Sequence, residues 1–490
     1  MDNEDMKAVE AGASRRNFLK AATATAAGMM AGLAAPGEVE AAVGAEKAPA
    51  GAYKMASGIL VPVADTKKLM AGPFPKAPVT AKGRVRGAND RIGVAFVGTG
   101  GMGGAQVQHF SDHAQEWNVE VLGVIDVNQK KREERASYAK GKGAAGANLI
   151  VDKDYRKILD NPNIDAVVIA TPEHWHAQIA CHAMEAGKSV YIQKPMTRYL
   201  DEAFQVYDTA KRTGKIVQVG SQGCSDYRFH AAGKAIREGK AGPLVMGQGS
   251  YTRNSATGEW NYDIDGSLNP DNLDWEMWLG SAPKRPWDQN TPGAGGGQMR
   301  ERDDSRARYN RYRKYWDYSA GILGDLMPHK LHPFLIASGN PEYPVRVAAI
   351  GTKLGNDREV PDTVQVVAEF PSKWTMLFVG STVNEQGLQD MFRGYKASIY
   401  FGNGVELKPE RWASEEVEAA NIPLEGPTGE PHERHEENWL QAIRANDPMK
   451  ANCNYELATK VQTIISLAEM SMRLNRTMLF DEKTRKISYG

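Results

Sequence analysis

Lys194 is the residue whose setting in this chain most plainly points to chemistry. It follows the apolar run Ser189 to Gln193 and directly precedes Pro195. A residue before proline is kept out of the helical region, so the lysine is held at a strand end and faces the cleft beyond it. A second group is Asp325 and His329, four positions apart within GILGDLMPHKLHP. That spacing puts both side chains on one helical face. Pro328 is tolerated only where a helix begins, since its missing N–H costs nothing there. A histidine titrating near neutral pH, with a lysine across the cleft, can remove a hydroxyl proton while hydride leaves the same carbon.

Hydride chemistry needs an acceptor, and the sequence supplies a place for one. From Arg91 an apolar strand runs into Gly98-x-Gly100-x-x-Gly103, with Gly101 and Met102 between, and then into a helical pattern. Gly98 permits the tight turn, Gly100 lets backbone approach a pyrophosphate, and Gly103 lets the helix pack against the strand. The phosphates then meet a helix N-terminus. The next strand, VEVLGVIDVN, ends in Asp126, suited to a ribose 2′-hydroxyl. A carboxylate there repels a 2′-phosphate, which favours NAD; Lys130 and Lys131 keep NADP as the alternative. Further strands end at Thr171-Pro172, at Gln193-Lys194 and before Gln222, alternating with helical stretches. This pattern predicts a doubly wound parallel sheet, whose ligands bind beyond the strand C-termini. Thr171, Pro172, His174, His176, Gln193, Lys194 and Gln222 all fall there. For the two histidines, local hydrogen bonding at a helix start competes with a cofactor contact.

On these residues the chain resembles the Gfo/Idh/MocA family, the glucose-fructose oxidoreductase and inositol dehydrogenase group. The resemblance rests on Gly98 to Gly103, Thr171 to His176, Lys194-Pro195, the segment from Gly321, and Asn438-Trp439-Leu440 through Arg444. It covers nearly the whole chain after the N-terminal leader. It implies an N-terminal Rossmann domain followed by an α+β domain with an open, mainly antiparallel sheet. It also implies His329 as base or acid, Lys194 as polariser and proton partner of the substrate oxygen, and Asp325 as orienter. Two positions depart from the family. Gln193 stands where a glutamate is usual, removing a carboxylate that would hold up the lysine's pKa, and His332 stands where an acid is usual.

After Gln222 the pattern changes. Five of the ten tryptophans, Trp260, Trp275, Trp278, Trp287 and Trp316, lie among Tyr, Asn, Asp and Arg between Ser250 and Tyr318. Aromatic faces pack on sugar C–H faces while polar side chains satisfy hydroxyls, so this composition suits a carbohydrate. Trp275 and Trp278 read as a loop anchor, whereas Arg311, Tyr315, Trp316 and His332 are the substrate candidates. The runs VRVAAIGT, TVQVVAEF, WTMLFVGS and ASIYFG alternate at period two, as one antiparallel sheet with a helix-covered side. In the family such a sheet forms the substrate domain and commonly the face between subunits, which implies a homo-oligomer. His432, His435 and Glu436 lack the spacing of a zinc helix and read as the polar start of the helix through Trp439; no metal site is expected.

Ser14-Arg15-Arg16-Asn17-Phe18-Leu19-Lys20, an Ala/Gly/Met run and a small-residue exit read as a twin-arginine export signal. The apolar run is shorter than a membrane span, so the processed protein is expected to be periplasmic or otherwise exported and not membrane-bound. The expected organisation is a signal over 1–45, an arm over 46–90, the NAD-binding domain over 91–222, the substrate domain over 223–454, and a helix and tail over 455–490 that pack back on the body. Exported members of the family carry a comparable arm that wraps a neighbouring subunit, and the arm here is expected to do the same and to help retain the cofactor. With 60 Lys+Arg against 60 Asp+Glu, the chain lacks the basic excess of a nucleic-acid binder. Cys181, Cys224 and Cys453 are an odd set without a close pair and read as buried fillers. The expected activity is NAD-dependent hydride transfer at a hydroxyl-bearing ring carbon of a sugar or glycoside, with a tightly held cofactor. The alternatives are a redox-neutral NAD-dependent glycosidase and a non-catalytic sugar-binding protein.

Overall fold

The computed structural model describes residues 52–54, 60–62, 69–78, 91–288, 305–355 and 357–490. The twin-arginine segment and most of the arm lie outside these residues. Within residues 52–62 the two short strands Ala52–Lys54 and Leu60–Pro62 pair antiparallel.

The first layered region starts at β1 (Ile92–Val97), buried along its whole length. α1 (Gly101–Asp112), β2 (Val119–Ile125), α2 (Gln129–Gly141), β3 (Ala145–Asp152), β4 (Ala166–Ile169), α3 (Glu173–Glu185), β5 (Ser189–Gln193), α4 (Leu200–Thr213) and β6 (Val217–Gly220) follow. The strands form one parallel sheet in the order β3-β2-β1-β4-β5-β6. The chain turns back at β1 and β4, and that is where an open parallel sheet leaves a crevice for a ligand. β3 escapes the sequence reading because its burial alternates weakly at the sheet edge.

The second region begins with α5 (Tyr227–Arg237) and β7 (Leu244–Thr252), then crosses long loops carrying α6 (Trp275–Leu279) and α7 (Ser305–Asn310). α8 (Ile322–Asp325) and α9 (Pro328–Ala337) lead to β8 (Arg346–Thr352), β9 (Thr363–Glu369), β10 (Thr375–Ser381), β11 (Met391–Gly394), β12 (Ala397–Phe401), β13 (Val405–Pro409) and β14 (Ala420–Asn421). α10 (His432–Ala445), α11 (Tyr455–Leu474), β15 (Met478–Asp481) and β16 (Lys486–Tyr489) complete the chain. One ten-stranded sheet results, ordered β14-β13-β12-β11-β7-β10-β9-β8-β15-β16. It is antiparallel except where β7 runs parallel to β10. β7 carries two glycines, Gly247 and Gly249, and so gives little periodic signal, yet it is the central strand.

α11 is buried along nearly its whole length and packs between α4 and β8. The Asn454 side chain caps its start, accepting from the Glu456 and Leu457 N–H groups. The two regions are riveted by ions as well as by apolar packing. Arg198, after β5, donates to both Glu469 oxygens at 2.6 and 2.9 Å and to the Trp316 carbonyl, and Arg473 shares Glu469 at 2.6 Å. Residues 69–78 lie along α4. The Ala71 and Gly72 N–H groups donate to Asp201, and a His182 ring nitrogen meets the Pro75 carbonyl at 2.9 Å.

Asp325 and His329 do not share one continuous helix, in contrast to the expectation from their spacing. Asp325 is the last residue of α8 and His329 the second of α9, with Leu326 and Met327 in a turn between. Pro328 has no N–H to give the preceding turn, and the Met327 N–H bonds to Ile322, five residues back. Pro328 starts a helix, as its position implies, but a separate short helix ends before it.

Candidate active site

A cavity of about 520 Å³ opens along the C-terminal ends of β1, β2 and β4. Gly98, Gly100, Gly101, Met102, Asp126, Thr171 and Pro172 line one side, as the motif reading placed them; Tyr262, Trp278, Tyr309, Tyr312 and Arg313 line the other. The glycine types are dictated locally. Gly98 has φ +82°, and a Cβ there would lie 2.6 Å from the Thr171 nitrogen. A Cβ at Gly103 would lie 1.8 Å from the Gly98 carbonyl, so only glycine lets α1 seat this close. At Gly101 nothing lies within 4 Å of that point, which leaves open space in front of the first α1 N–H groups. Asp126 is oriented by backbone: Oδ2 accepts from Thr99 at 2.7 Å and Oδ1 from Asn128 at 2.8 Å. Lys131 lines the same end, over the Tyr309 ring at 4.9 Å.

Beyond the C-terminal ends of the strands, several buried polar atoms find no partner among the described residues. These are Thr171 Oγ1, Gln193 Nε2 and Gln222 Nε2. A dinucleotide fits the cavity, with an open glycine cradle and a fixed carboxylate along it.

Lys194, Asp325 and His329 do not themselves line this cavity; Asp325 is joined to it through Arg313, which does. Lys194 Nζ donates to Asp325 Oδ1 at 2.7 Å and to the Asp325 carbonyl at 2.6 Å, across the boundary between the two sheets. Asp325 Oδ1 also accepts from Arg313 Nε at 2.7 Å, and Oδ2 accepts from Trp260 Nε1 at 3.0 Å. Burial would raise the Asp325 pKa, but Arg313 and Lys194 outweigh it and hold the carboxyl well below its usual range. Burial lowers the Lys194 pKa, against the pull of Asp325, while Arg313 pushes it further down. A lysine so placed gives up its proton more readily than a solvated one. His329 is half-buried, with its ring beside Tyr251 at 5.6 Å, and its Nδ1 has no partner among the described residues. Burial, and secondarily the Lys194 charge, keeps it neutral.

The remaining candidates sit elsewhere. His174 is buried, its Nε2 meeting the Trp278 carbonyl at 3.0 Å, and Trp175 Nε1 donates to the same carbonyl. It thus secures the loop where Trp275 and Trp278 stack at 4.8 Å. His176 lies between the Thr171 and Pro195 carbonyls, each 2.8 Å from a ring nitrogen, and burial lowers its pKa to about 4. Neither ring lines the cavity; Trp175 between them does. Of the substrate candidates, Arg311 donates to the Tyr262 carbonyl. Tyr315 is buried beneath Arg308, Trp316 packs under Arg473, and His332 bonds back to Pro328. None of the four lines the cavity. The 3-10 turn Tyr312–Lys314 aims Tyr312 and Arg313 at it and sends Tyr315 inward. Arg313, Tyr312, Tyr262 and Trp260 were missed because the sequence places nothing within an irregular loop; only the density of Arg and Tyr there marks the region.

The sheet order, the glycine cradle and the fixed acid define a dinucleotide-binding protein of the Rossmann type. Two family models bear on the chain: the oxidoreductase family NAD-binding Rossmann fold matches residues 92–221, and that family's C-terminal alpha/beta domain matches residues 253–489. The chain belongs to the Gfo/Idh/MocA oxidoreductase family. It is 27% identical over 261 residues to a glycosyl hydrolase family 109 protein of Shewanella pealeana, covering 50% of each chain. It therefore spans about half the length of the curated relatives it matches. An NAD binding oxidoreductase from Klebsiella pneumoniae superposes with TM-score 0.58 at 19% identity, covering 79% of this chain and 98% of that one. The WlbA dehydrogenase of Bordetella pertussis, in complex with NADH and UDP-GlcNAcA, does so with TM-score 0.55 at 15% identity, over 80% and 99%.

Proposed function

We propose that this protein is an exported, NAD-dependent enzyme that moves hydride to or from a hydroxyl-bearing ring carbon of a sugar or glycoside. The observation that carries the reading is the bond from Lys194 to Asp325 across the two sheets, tied through Arg313 to the cavity lined by the glycine cradle. Gly98 to Met102, Asp126 and Thr171 would hold the dinucleotide, which when bound supplies the hydride acceptor. The chain's own residues handle the proton. Lys194, with its pKa lowered by burial, takes the proton from the substrate hydroxyl, and Asp325 stabilises the ammonium that forms. Arg313 and Trp260 hold that carboxylate so that it cannot turn away. His329, kept neutral, offers a second hydrogen-bonding group to the substrate on the side of the second sheet. Tyr262 and Tyr312 supply aromatic wall for a sugar ring. The sheet of the second region serves as the face between copies of the chain, as in the family.

A second reading, redox-neutral glycoside hydrolysis with the same residues, is favoured by the glycosyl hydrolase name of the Shewanella relative. The test is to supply NAD to the purified full chain with a panel of sugars and aryl glycosides. Reduced nicotinamide accumulating with a sugar supports the dehydrogenase. Aglycone release without net reduction supports the hydrolase. Failure of both, with NAD bound, leaves a sugar-binding protein and overturns the proposal.

A further inference from the structure

Glu173, the first residue of α3, is a buried carboxyl that the mechanism above does not use. It stands directly after the cavity-lining Thr171 and Pro172, yet it points into the second region. Ser319 Oγ donates to its Oε1, and the Ala320 N–H donates to its Oε2 at 3.1 Å. Ser319 Oγ in turn accepts from the Gly321 N–H at 3.1 Å, so one carboxyl pins three consecutive residues. Those residues lead straight into α8, and the Asp325 N–H bonds back to the Gly321 carbonyl at 2.7 Å. The approach is close: a Cβ at Gly324 would lie 2.8 Å from Glu173 Oε2. Among the described residues Glu173 makes no ion pair at contact distance.

We propose that Glu173 is a positioning residue that ties α3 to the Ser319–Gly321 strap and so sets the approach of Asp325 to Lys194. This rests on the reading that Lys194 carries the proton. The charged groups facing Glu173 are Arg198 after β5, Asp325 on α8 and Lys194 at the end of β5, with the Tyr312 phenol across the cavity. Burial raises its pKa to about 7, Arg198 and the two hydrogen bonds opposing. Its charge therefore changes near neutral pH, and when ionised it adds to the hold that Asp325 has on the Lys194 ammonium.

The test compares Glu173→Gln, which keeps the shape, with Glu173→Ala, in the holoenzyme. Glu173→Gln is expected to fold with an unchanged far-ultraviolet spectrum. Its rising limb of kcat/KM should move to lower pH by about half a unit or more, because Lys194 loses a neighbouring negative charge. Glu173→Ala is expected to lose about tenfold in kcat with KM little changed. A readout independent of turnover is infrared difference spectroscopy of the sugar-free protein. A protonated carboxyl should titrate near neutral pH in the parent and be missing from Glu173→Gln, and a crystal structure of Glu173→Ala should show the strap displaced. An unmoved pH limb together with an unaltered infrared titration in Glu173→Gln overturns the proposal. Absence of cofactor reduction in the parent overturns the functional reading instead, while the infrared and strap measurements still decide the role of Glu173.

Discussion

Asp325→Asn removes one negative charge from the point where the two sheets meet, with almost no change in shape. In the parent, one carboxylate oxygen lies 2.7 Å from both Lys194 Nζ and Arg313 Nε, and the side chain is only 8% exposed. At a protein-like dielectric each contact corresponds to ~6 kcal/mol of attraction before desolvation. Most of that is offset by the cost of burying the three charges, and breaking such a cluster by removing one member leaves about 3–5 kcal/mol of destabilisation. The amide oxygen still accepts one bond, so the lower end is expected, about 3 kcal/mol, read as a lowered midpoint in urea with an unchanged slope. Lys194 and Arg313 would then face each other uncompensated. The Lys194 pKa falls, so the rising limb of kcat/KM shifts to lower pH. The ammonium formed during proton transfer loses its partner, so the maximum falls by about 10²–10⁴. Kinetics across pH on substrate-saturated and limiting arms separate these effects. A variant with the parent's urea midpoint and kcat/KM within about twofold would show that Asp325 does not hold Lys194 in a working state.

Three further outcomes follow from the same geometry. Gly103→Ala would drive a Cβ to 1.8 Å from the Gly98 carbonyl; it should lose NAD affinity in calorimetry and melt several degrees lower, as overpacking costs about 1–3 kcal/mol. Glu469→Gln leaves buried Arg198 and Arg473 without their carboxylate and should cost about 3 kcal/mol in urea unfolding. His174 and His435 are held neutral, with pKa values lowered to about 4 by burial. Unfolded, they take up protons near pH 6.5, so their contribution is complete above that value and is lost as pH falls toward 4, by up to about 3 kcal/mol each. Unfolding followed from pH 7 to pH 4 should show this fall, and His435→Gln should flatten it.

The parallel sheet was legible because its strands are continuous apolar runs and because glycine spacing reports backbone constraints that no other residue meets. Lys194 was legible for a related reason, lying between a buried strand and a proline. Asp325 and His329 were found as a pair, but the spacing of four concealed the turn that Pro328 forces between them. The cavity wall of the second region was not legible. Tyr262, Tyr312 and Arg313 occupy irregular loop, where no periodicity tells which side chains face inward, and the neighbours Arg311, Tyr315 and Trp316 were equally plausible by composition. The strand β7 was hidden by its glycines, although the whole sheet is built outward from it. The role of Glu173 is not legible in the sequence, because its partners Ser319 and Ala320 are distant in the chain and only the fold brings them to it.

On the proposed mechanism Lys194 and Asp325 work on a sugar hydroxyl beside a bound nicotinamide. The most direct measurement is the near-ultraviolet absorbance of reduced nicotinamide in the purified, NAD-loaded chain as sugars and aryl glycosides are added, alongside Lys194→Ala. The account predicts that at least one saccharide changes the redox state of the bound cofactor in the parent, transiently if it is handed back, and that Lys194→Ala binds NAD but gives no such change. A chain that takes up no NAD, or a Lys194→Ala variant that reduces it as fast as the parent, would contradict the account.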